Sequence, residues 1–123
     1  NMLVSVDFQS EIPLYMQLRN QVVIGIAQGK LAPGEQLPTI RALAEESGIN
    51  MMTVSKAYQL LKQEGYVRTD RRSGTIVAPH QKAVLSEDRI ASLRLVLSEL
   101  RIAGMSEEEV LALCRELYRE VGK

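Results

Sequence analysis

The chain has 123 residues, and its fifteen basic and fifteen acidic side chains leave no formal net charge at pH 7. A neutral chain has no overall positive field, so any surface that attracts a polyanion must come from local clustering of charge. The 46% hydrophobic and 24% charged residues favour a globular fold over a disordered one. One cysteine excludes an internal disulfide, and no apolar stretch is long enough for a bilayer. We expect a cytoplasmic protein without a membrane partner, and we interpret Asn1 before Met2 as left from an expression tag.

The first predicted helix begins at Pro13, where the missing backbone N–H costs nothing, and it ends at Gly29. Apolar residues recur within it at helical spacing and should face a core, whereas Arg19 falls on another face. A second, short helix has Thr39 as its N-cap and stops at Gly48. The positions expected to face inward in these two helices are Leu14, Leu18, Val22, Ile26, Ile40, Leu43 and Ala44.

The third predicted helix is capped by Asn50 and runs to about Glu64. The pattern then changes to that of strands, and residues 66–69 and 75–78 predict a β-hairpin closed by the segment DRRSG. Two short helices joined by a tight turn that contains glycine are typical of a helix-turn-helix. The hairpin that follows would then be its wing.

Two further helices are predicted in the last part of the chain, the first opening at Ser86 and the second at Ser106. Ser106 and Glu109 have the spacing of a capping box. The predicted fold class is mainly α with a small β-hairpin, namely a winged helix-turn-helix plus a two-helix C-terminal dimerisation tail. The predicted regions are a first domain at 2–79, a linker at 80–85 and the helical tail at 86–123.

The third helix carries the candidate recognition surface. Its apolar residues fall on one face and should be buried, so the opposite face points outward. That outward face is polar and carries one lysine and no acidic residue, whereas a solvated helix normally mixes both signs. A helix that enters a major groove cannot present carboxylates, because they would meet phosphates. The buried face comprises Val54, Ala57, Tyr58 and Leu61, and the outward face comprises Met52, Lys56, Gln59 and Gln63, flanked by Thr53 and Ser55.

The hairpin tip offers a second contact, because Arg71 and Arg72 lie beside Gly74 in an arrangement suited to phosphates or a minor groove. Charge patterning alone is equally consistent with an ordinary charged turn. From Arg41 to Arg72, six basic residues stand against four acidic ones. The chain has no Gly-rich phosphate loop, nucleophile elbow or cluster of metal-ligating residues, so we expect no enzyme activity, no cofactor and no metal.

Several motifs in order resemble a known family. The opening IPLYMQL, the turn region GKLAPGEQLPTIRALAEESGIN, the helix TVSKAYQLLKQEGYV and the wing RRSGTIV look like the DNA-binding domain of the GntR family of bacterial regulators. The resemblance spans Ile12 to Val77. The TVSKAY form and the short tail look like the YtrA subfamily, whose members are dimeric repressors that often govern transporter genes.

The resemblance implies a sequence-specific transcriptional regulator that binds double-stranded DNA. Met51 and Met52 depart from the family pattern, in which Pro, Asn or Arg is more common, so the base preference should differ. Met52 has the chemistry to contact a thymine methyl group, although space-filling is the commoner role of methionine. The resemblance implies contacts by Arg41, Asn50, Thr53, Ser55, Lys56 and Gly74. The outward face and the wing add Met52, Gln59, Arg71 and Arg72.

The tail helices carry wider apolar faces than the two can bury on each other. A second copy would supply the missing cover, and the resulting twofold dimer would present two recognition helices to a roughly palindromic operator. The short tail leaves little room for an effector cavity, and the sequence identifies no effector. The expected interface residues are Ile90, Leu93, Leu97, Leu100, Leu113 and Leu117, with Cys114 buried on the same face of the last helix.

A winged helix used for protein–protein contact is the main alternative, because this fold does not dictate its function. The non-acidic recognition face and Arg41 favour DNA. The two alternatives differ in salt dependence, since binding through phosphates weakens steeply as salt rises.

Overall fold

The structure is a computed structural model that describes residues 4–82 and 84–122. Residues 2 and 3 of the predicted first domain, residue 83 of the linker and residue 123 of the tail lie outside the described residues. The chain divides into two units, one up to His80 and one from Gln81. The elements of the first unit are α1 (Leu14–Ala27), α2 (Ile40–Ser47), α3 (Met51–Gln63), β1 (Val67–Asp70) and β2 (Gly74–Val77), and those of the second are α4 (Glu87–Ile102) and α5 (Glu107–Val121).

Local hydrogen bonds define the ends of α2 and α3. The hydroxyl of Thr39 accepts the N–H of Ala42 at 3.0 Å, and the side chain of Asn50 accepts the N–H of Thr53 at 2.8 Å. Between the helices, Gly48 has a φ of 74°, a left-handed conformation that costs glycine little. The tight turn therefore depends on this glycine, and the predicted helices and both caps are confirmed.

The core of the first unit lies between the apolar faces of α1, α2 and α3 and is closed by the hairpin. Leu18, Leu43 and Val54 are almost completely buried, as predicted from their spacing. The hydroxyl of Tyr58 donates a hydrogen bond to the carbonyl of Pro38 at 2.7 Å, and burial raises the pKa of Tyr58. This bond ties the buried face of α3 to the segment that leads into α2.

Arg19 falls outside the apolar stripe of α1, as its spacing predicts, but it is buried, which the spacing does not indicate. It is only 7% exposed, and its Nε and Nη2 donate to the two carboxylate oxygens of Glu64 at 2.8 and 3.0 Å. Hydrogen bonding and the negative charge of Glu64 raise the pKa of Arg19, whose guanidinium also lies 5.5 Å from the ring centroid of Tyr66. The helical period of α1 cannot reveal a partner that is 45 residues away in sequence.

The wing is a two-stranded antiparallel sheet in which Val67 pairs with Val77 and Asp70 with Gly74. Each strand lies one residue nearer the turn than predicted, because the pairing continues to Asp70 and Gly74. Gln36 pairs with Ile76 of β2 in a single antiparallel bridge, which the sequence pattern did not predict. This pairing attaches the wing to the segment before α2.

The two tail helices have the predicted starts. The N–H of Ser106 donates to the Glu109 carboxylate at 2.9 Å and the Ser106 hydroxyl accepts the N–H of Glu109 at 3.1 Å, which confirms the capping box. The hydrogen bond from the Ser106 N–H is the main reason that the pKa of Glu109 is lowered. No residue of α4 or α5 is buried, and Cys114 is exposed in the single chain, contrary to the prediction. Within residues 4–82 and 84–122, none of the helices combines the length and hydrophobicity needed to cross a membrane.

Candidate nucleic-acid interface

The outward face of α3 is exposed, as its helical spacing predicts. Met52 is 83% exposed, Lys56 and Gln59 are exposed, and Thr53 and Ser55 are partly exposed on the flanks. The opposite face of the helix is fully buried in the core. Packing of α3 therefore leaves a polar surface with a positive charge and no carboxylate, at the end of the helix where Asn50 caps it.

Asn50 has a structural task that limits how it can contact DNA. Its Oδ1 accepts the N–H of Thr53, so that oxygen is already used by the helix. The amide Nδ2 keeps two hydrogen-bond donors, which are the groups that a phosphate or a base acceptor requires. Arg41 is exposed on the first turn of α2, the other helix of the motif.

Lys56 is held by an aromatic ring that the sequence analysis did not assign to the site. Its Nζ lies 4.1 Å from the ring centroid of Tyr15, which is within the range of a cation–π interaction. Tyr15 belongs to the first turn of α1 and is partly buried against the core. Its only sequence signal was its place in the IPLYMQL motif.

The wing tip is shaped by Asp70, a second residue that sequence reasoning did not assign to the site. Its carboxylate accepts the N–H groups of Arg72 and Ser73 at 2.8 and 3.1 Å, and the bond from Arg72 is the main reason that the pKa of Asp70 is lowered. Gly74 has a φ of 73°, which closes the turn. Arg71 and Arg72 are exposed at this tip, so both side chains are available to a ligand.

The second unit has an open groove of about 840 Å³ between α4 and α5. It brings together three of the predicted interface residues, Ile90, Leu93 and Leu97. The other three predicted interface residues do not line this groove. Leu100 and Leu113 are half-buried, and Leu117 is exposed. The groove thus brings together half of the predicted interface residues, all three of them on α4.

The described residues contain no group of three or more His, Cys, Asp or Glu side chains placed to hold a metal ion. A cavity of about 290 Å³ beside the start of α2 is lined partly by Glu35 and Glu46. Carboxylates at this cavity would repel a polyanion. The polar face of α3 and the wing tip therefore remain the candidate surfaces for nucleic acid.

Two helices crossing at a left-handed glycine, followed by a hairpin with arginines at its tip, define a winged helix-turn-helix protein. The sequence agrees with this class. Residues 14–77 match the family described as bacterial regulatory proteins, gntR family. The chain belongs to the GntR family.

The similarity to named relatives extends beyond the winged unit into the tail. The HTH-type transcriptional repressor YtrA of Bacillus subtilis (strain 168) is 32% identical over 123 residues, which covers 97% of this chain and 95% of the relative. YtrA from Sulfolobus acidocaldarius, a GntR-family transcription factor of known structure, is 32% identical with a TM-score of 0.66. That match covers 82% of this chain and 99% of the other.

Solved structures support both parts of the fold. A transcriptional antiterminator from Listeria monocytogenes EGD-e is 29% identical with a TM-score of 0.83, covering 100% of this chain and 95% of the other. The AraR DNA-binding domain in complex with operator ORX1 is 29% identical with a TM-score of 0.55, covering 63% of this chain and 100% of the other. The predicted winged helix-turn-helix with a two-helix tail and the resemblance to YtrA proteins are confirmed, and the chain is a DNA-binding transcriptional regulator rather than an enzyme. The dimerising role of the tail stays a prediction.

Proposed function

We propose that this chain is a cytoplasmic repressor that binds a palindromic operator as a homodimer. The observation that carries the proposal is the exposed face of α3, which holds Met52, Lys56 and Gln59 without a carboxylate. The B. subtilis relative is named a transcriptional repressor, which supports repression over activation. Control of transporter genes rests on the resemblance to the YtrA subfamily.

In this proposal the two surfaces of the first unit have different tasks. The residues near the start of α3 read base edges in the major groove, because the polar and apolar groups there have base-specific partners. Arg41 and the wing arginines contact phosphates, with the wing tip also short enough to enter a minor groove. Phosphate contacts set the position of the protein, and the α3 contacts select the sequence.

The tail forms the dimer in this proposal. Leu93 and Leu97 of α4 are 53% and 38% exposed, and both line the groove against α5. A stripe of exposed leucines on two adjacent helices costs free energy in water, which a twofold contact with a second copy would recover. A dimer of this kind carries two α3 helices, so the operator should have two half-sites.

A single experiment tests the function. Genomic fragments of the source organism are selected on the purified protein and sequenced, and the enriched site is titrated by fluorescence anisotropy at several salt concentrations. We expect an inverted repeat that is bound with a steep loss of affinity as salt rises, because bound phosphates release counterions. Enrichment of no sequence, together with salt-independent capture of a protein partner, would replace DNA binding by the protein-contact alternative.

A further inference from the structure

The contact between α1 and the outward face of α3 connects the hydrophobic core with the candidate DNA-binding surface through one pair of residues. Tyr15 packs against the hydrophobic core with part of its ring, and Lys56 places its ammonium 4.1 Å from the centroid of that ring. Lys56 is exposed and lies on the face that we assign to DNA. The ring therefore forms a partly buried support beneath an exposed cation.

A lysine side chain without a partner samples many rotamers, and ordering it on binding costs free energy. A cation held on an aromatic face has lost part of that freedom before the ligand arrives. The ring is uncharged, so the ammonium keeps its positive charge, and the N–H donors that point away from the ring stay available to DNA oxygens. A carboxylate partner would instead neutralise the charge.

The geometry points to Tyr15 as a positioning residue for DNA binding, which holds the Lys56 ammonium ready on the recognition face. The inference rests on the proposed function, because it assumes that α3 meets DNA. Tyr15 acts through Lys56 and makes no contact with DNA through its own hydroxyl. Tyr15, the aromatic residue of the IPLYMQL motif, thus orients Lys56 in addition to packing against the core.

The first test compares Tyr15→Leu with Tyr15→Phe in titrations of the selected operator. Tyr15→Leu should weaken binding about 3- to 10-fold, because it removes the ring face, and Tyr15→Phe should bind like the parent, because it keeps that face. Tyr66→Leu is the matched control, since it removes a ring that lies over Arg19 instead of Lys56, and it should leave operator affinity unchanged. A loss in Tyr15→Phe as large as that in Tyr15→Leu would overturn the inference in favour of a direct hydroxyl contact.

The second test is a double-mutant cycle with Lys56→Ala. If Tyr15 acts through Lys56, then Tyr15→Leu should have almost no further effect on affinity once Lys56 is alanine. An unchanged 3- to 10-fold effect in that background would show that Tyr15 acts independently, and the inference would be wrong. A merely structural role predicts the same loss in both backgrounds.

Fluorinated phenylalanines at position 15 keep the test decisive if Tyr15→Leu destabilises the fold. Successive fluorination weakens the negative face of the ring at nearly constant shape, so operator affinity should fall stepwise along the series. In the free protein the ε-methylene protons of Lys56 should show an upfield ring-current shift that Tyr15→Leu abolishes. Constant affinity along the series would overturn the inference, whereas absence of operator binding in the parent protein would instead overturn the proposed function.

Discussion

Single side chains at the start of α3 differ in what they can give to DNA. Lys56 offers a charge that is attracted to any phosphate, whereas Gln59 and the free amide donors of Asn50 can pair with particular base edges. Met52 offers neither charge nor donor, yet it is 83% exposed at this end of the helix. These chemical differences make the residues separable by experiment.

Arg41→Ala and Lys56→Ala should each weaken operator binding without unfolding the protein, because both side chains are exposed and neither belongs to the core. Loss of a base contact should cost about 1–3 kcal/mol and relax specificity, while loss of a phosphate contact should weaken all sequences alike. Anisotropy titrations and thermal melts measure the two effects. Lys30→Ala, which removes an exposed lysine outside both candidate surfaces, serves as the control, and parental affinity in both test variants would contradict the assigned face.

Met52 should read a thymine methyl group, because its exposed thioether side chain is the one large apolar group among the candidate DNA-binding residues. Replacing the contacted thymine by uracil should then cost about 0.8 kcal/mol, the transfer free energy of one buried carbon. The loss should disappear in Met52→Ala, and scanning each thymine of the operator locates the contact. A uracil effect that persists in Met52→Ala would assign the methyl contact to another residue.

At the scale of the element, the wing tip is a turn held together by one side chain. Asp70 accepts two backbone N–H groups within the turn, and these bonds stabilise the backbone conformation that carries Arg71 and Arg72. The lowered pKa of Asp70 means that the carboxylate form is favoured in the folded wing. This stabilisation is present above the unfolded pKa and is lost as pH falls through the lower folded value, so the wing should be insensitive to pH near neutrality.

Arg71→Ala combined with Arg72→Ala should lower the affinity for specific and non-specific DNA together. Each lost phosphate contact removes about 0.9 from the slope of log affinity against log salt, so the slope should flatten by about one to two units. Titrations on operator and random duplexes at four salt concentrations measure it. If the slope is the same as in the parent, the wing does not touch the phosphates.

A second contact between elements is the ion pair of Arg19 on α1 with Glu64, the residue that follows α3. The Arg19 guanidinium is largely buried and pairs with both oxygens of Glu64, whose side chain is about one-third exposed. Arg19→Met should lower the free energy of unfolding by about 1–3 kcal/mol, because it removes the two hydrogen bonds to Glu64 and a third to the Asn20 side chain while keeping the apolar stem. Urea unfolding measures the loss, Arg68→Met on the exposed wing is the control, and a stable Arg19→Met would show that solvent compensates Glu64.

For the whole molecule, the proposed dimer assigns the tail the task of bringing two winged units to one operator. Leu93 and Leu97 of α4 line the groove against α5, and the winged unit has its own separate core. Assembly and folding should therefore be separable. A change in the tail should alter the oligomeric state while the first unit remains folded.

Leu97→Asp should yield a folded monomer that binds a half-site weakly and the full palindrome little better. The substitution places an unpaired charge in an apolar interface, which costs several kcal/mol, and twofold symmetry repeats that cost in the partner. Sedimentation and a thermal melt measure it. Leu95→Asp is the matched control on another face of α4, outside the groove, and it should remain dimeric. A dimeric Leu97→Asp would move the interface elsewhere, and an unfolded one would show that Leu97 packs within its own subunit.

The sequence by itself determined the features that depend on neighbouring residues. Thr39 and Asn50 cap helices through N–H groups three residues away, and Gly48 ends α2 in the conformation that glycine adopts at little cost. Helical periodicity likewise determined which face of α3 is buried. These signals are readable because helix spacing and capping operate within one or two turns of chain.

Only the tertiary structure decided the contacts between distant segments. It placed the Tyr15 ring under the Lys56 ammonium, paired the buried Arg19 guanidinium with Glu64, and joined Gln36 to the wing by a backbone bridge. It also left Cys114 exposed, because the apolar face of α5 finds no burying partner in its own chain. The physical reason is that periodicity gives the direction of a side chain from its own helix axis, whereas its partner depends on how the helices pack.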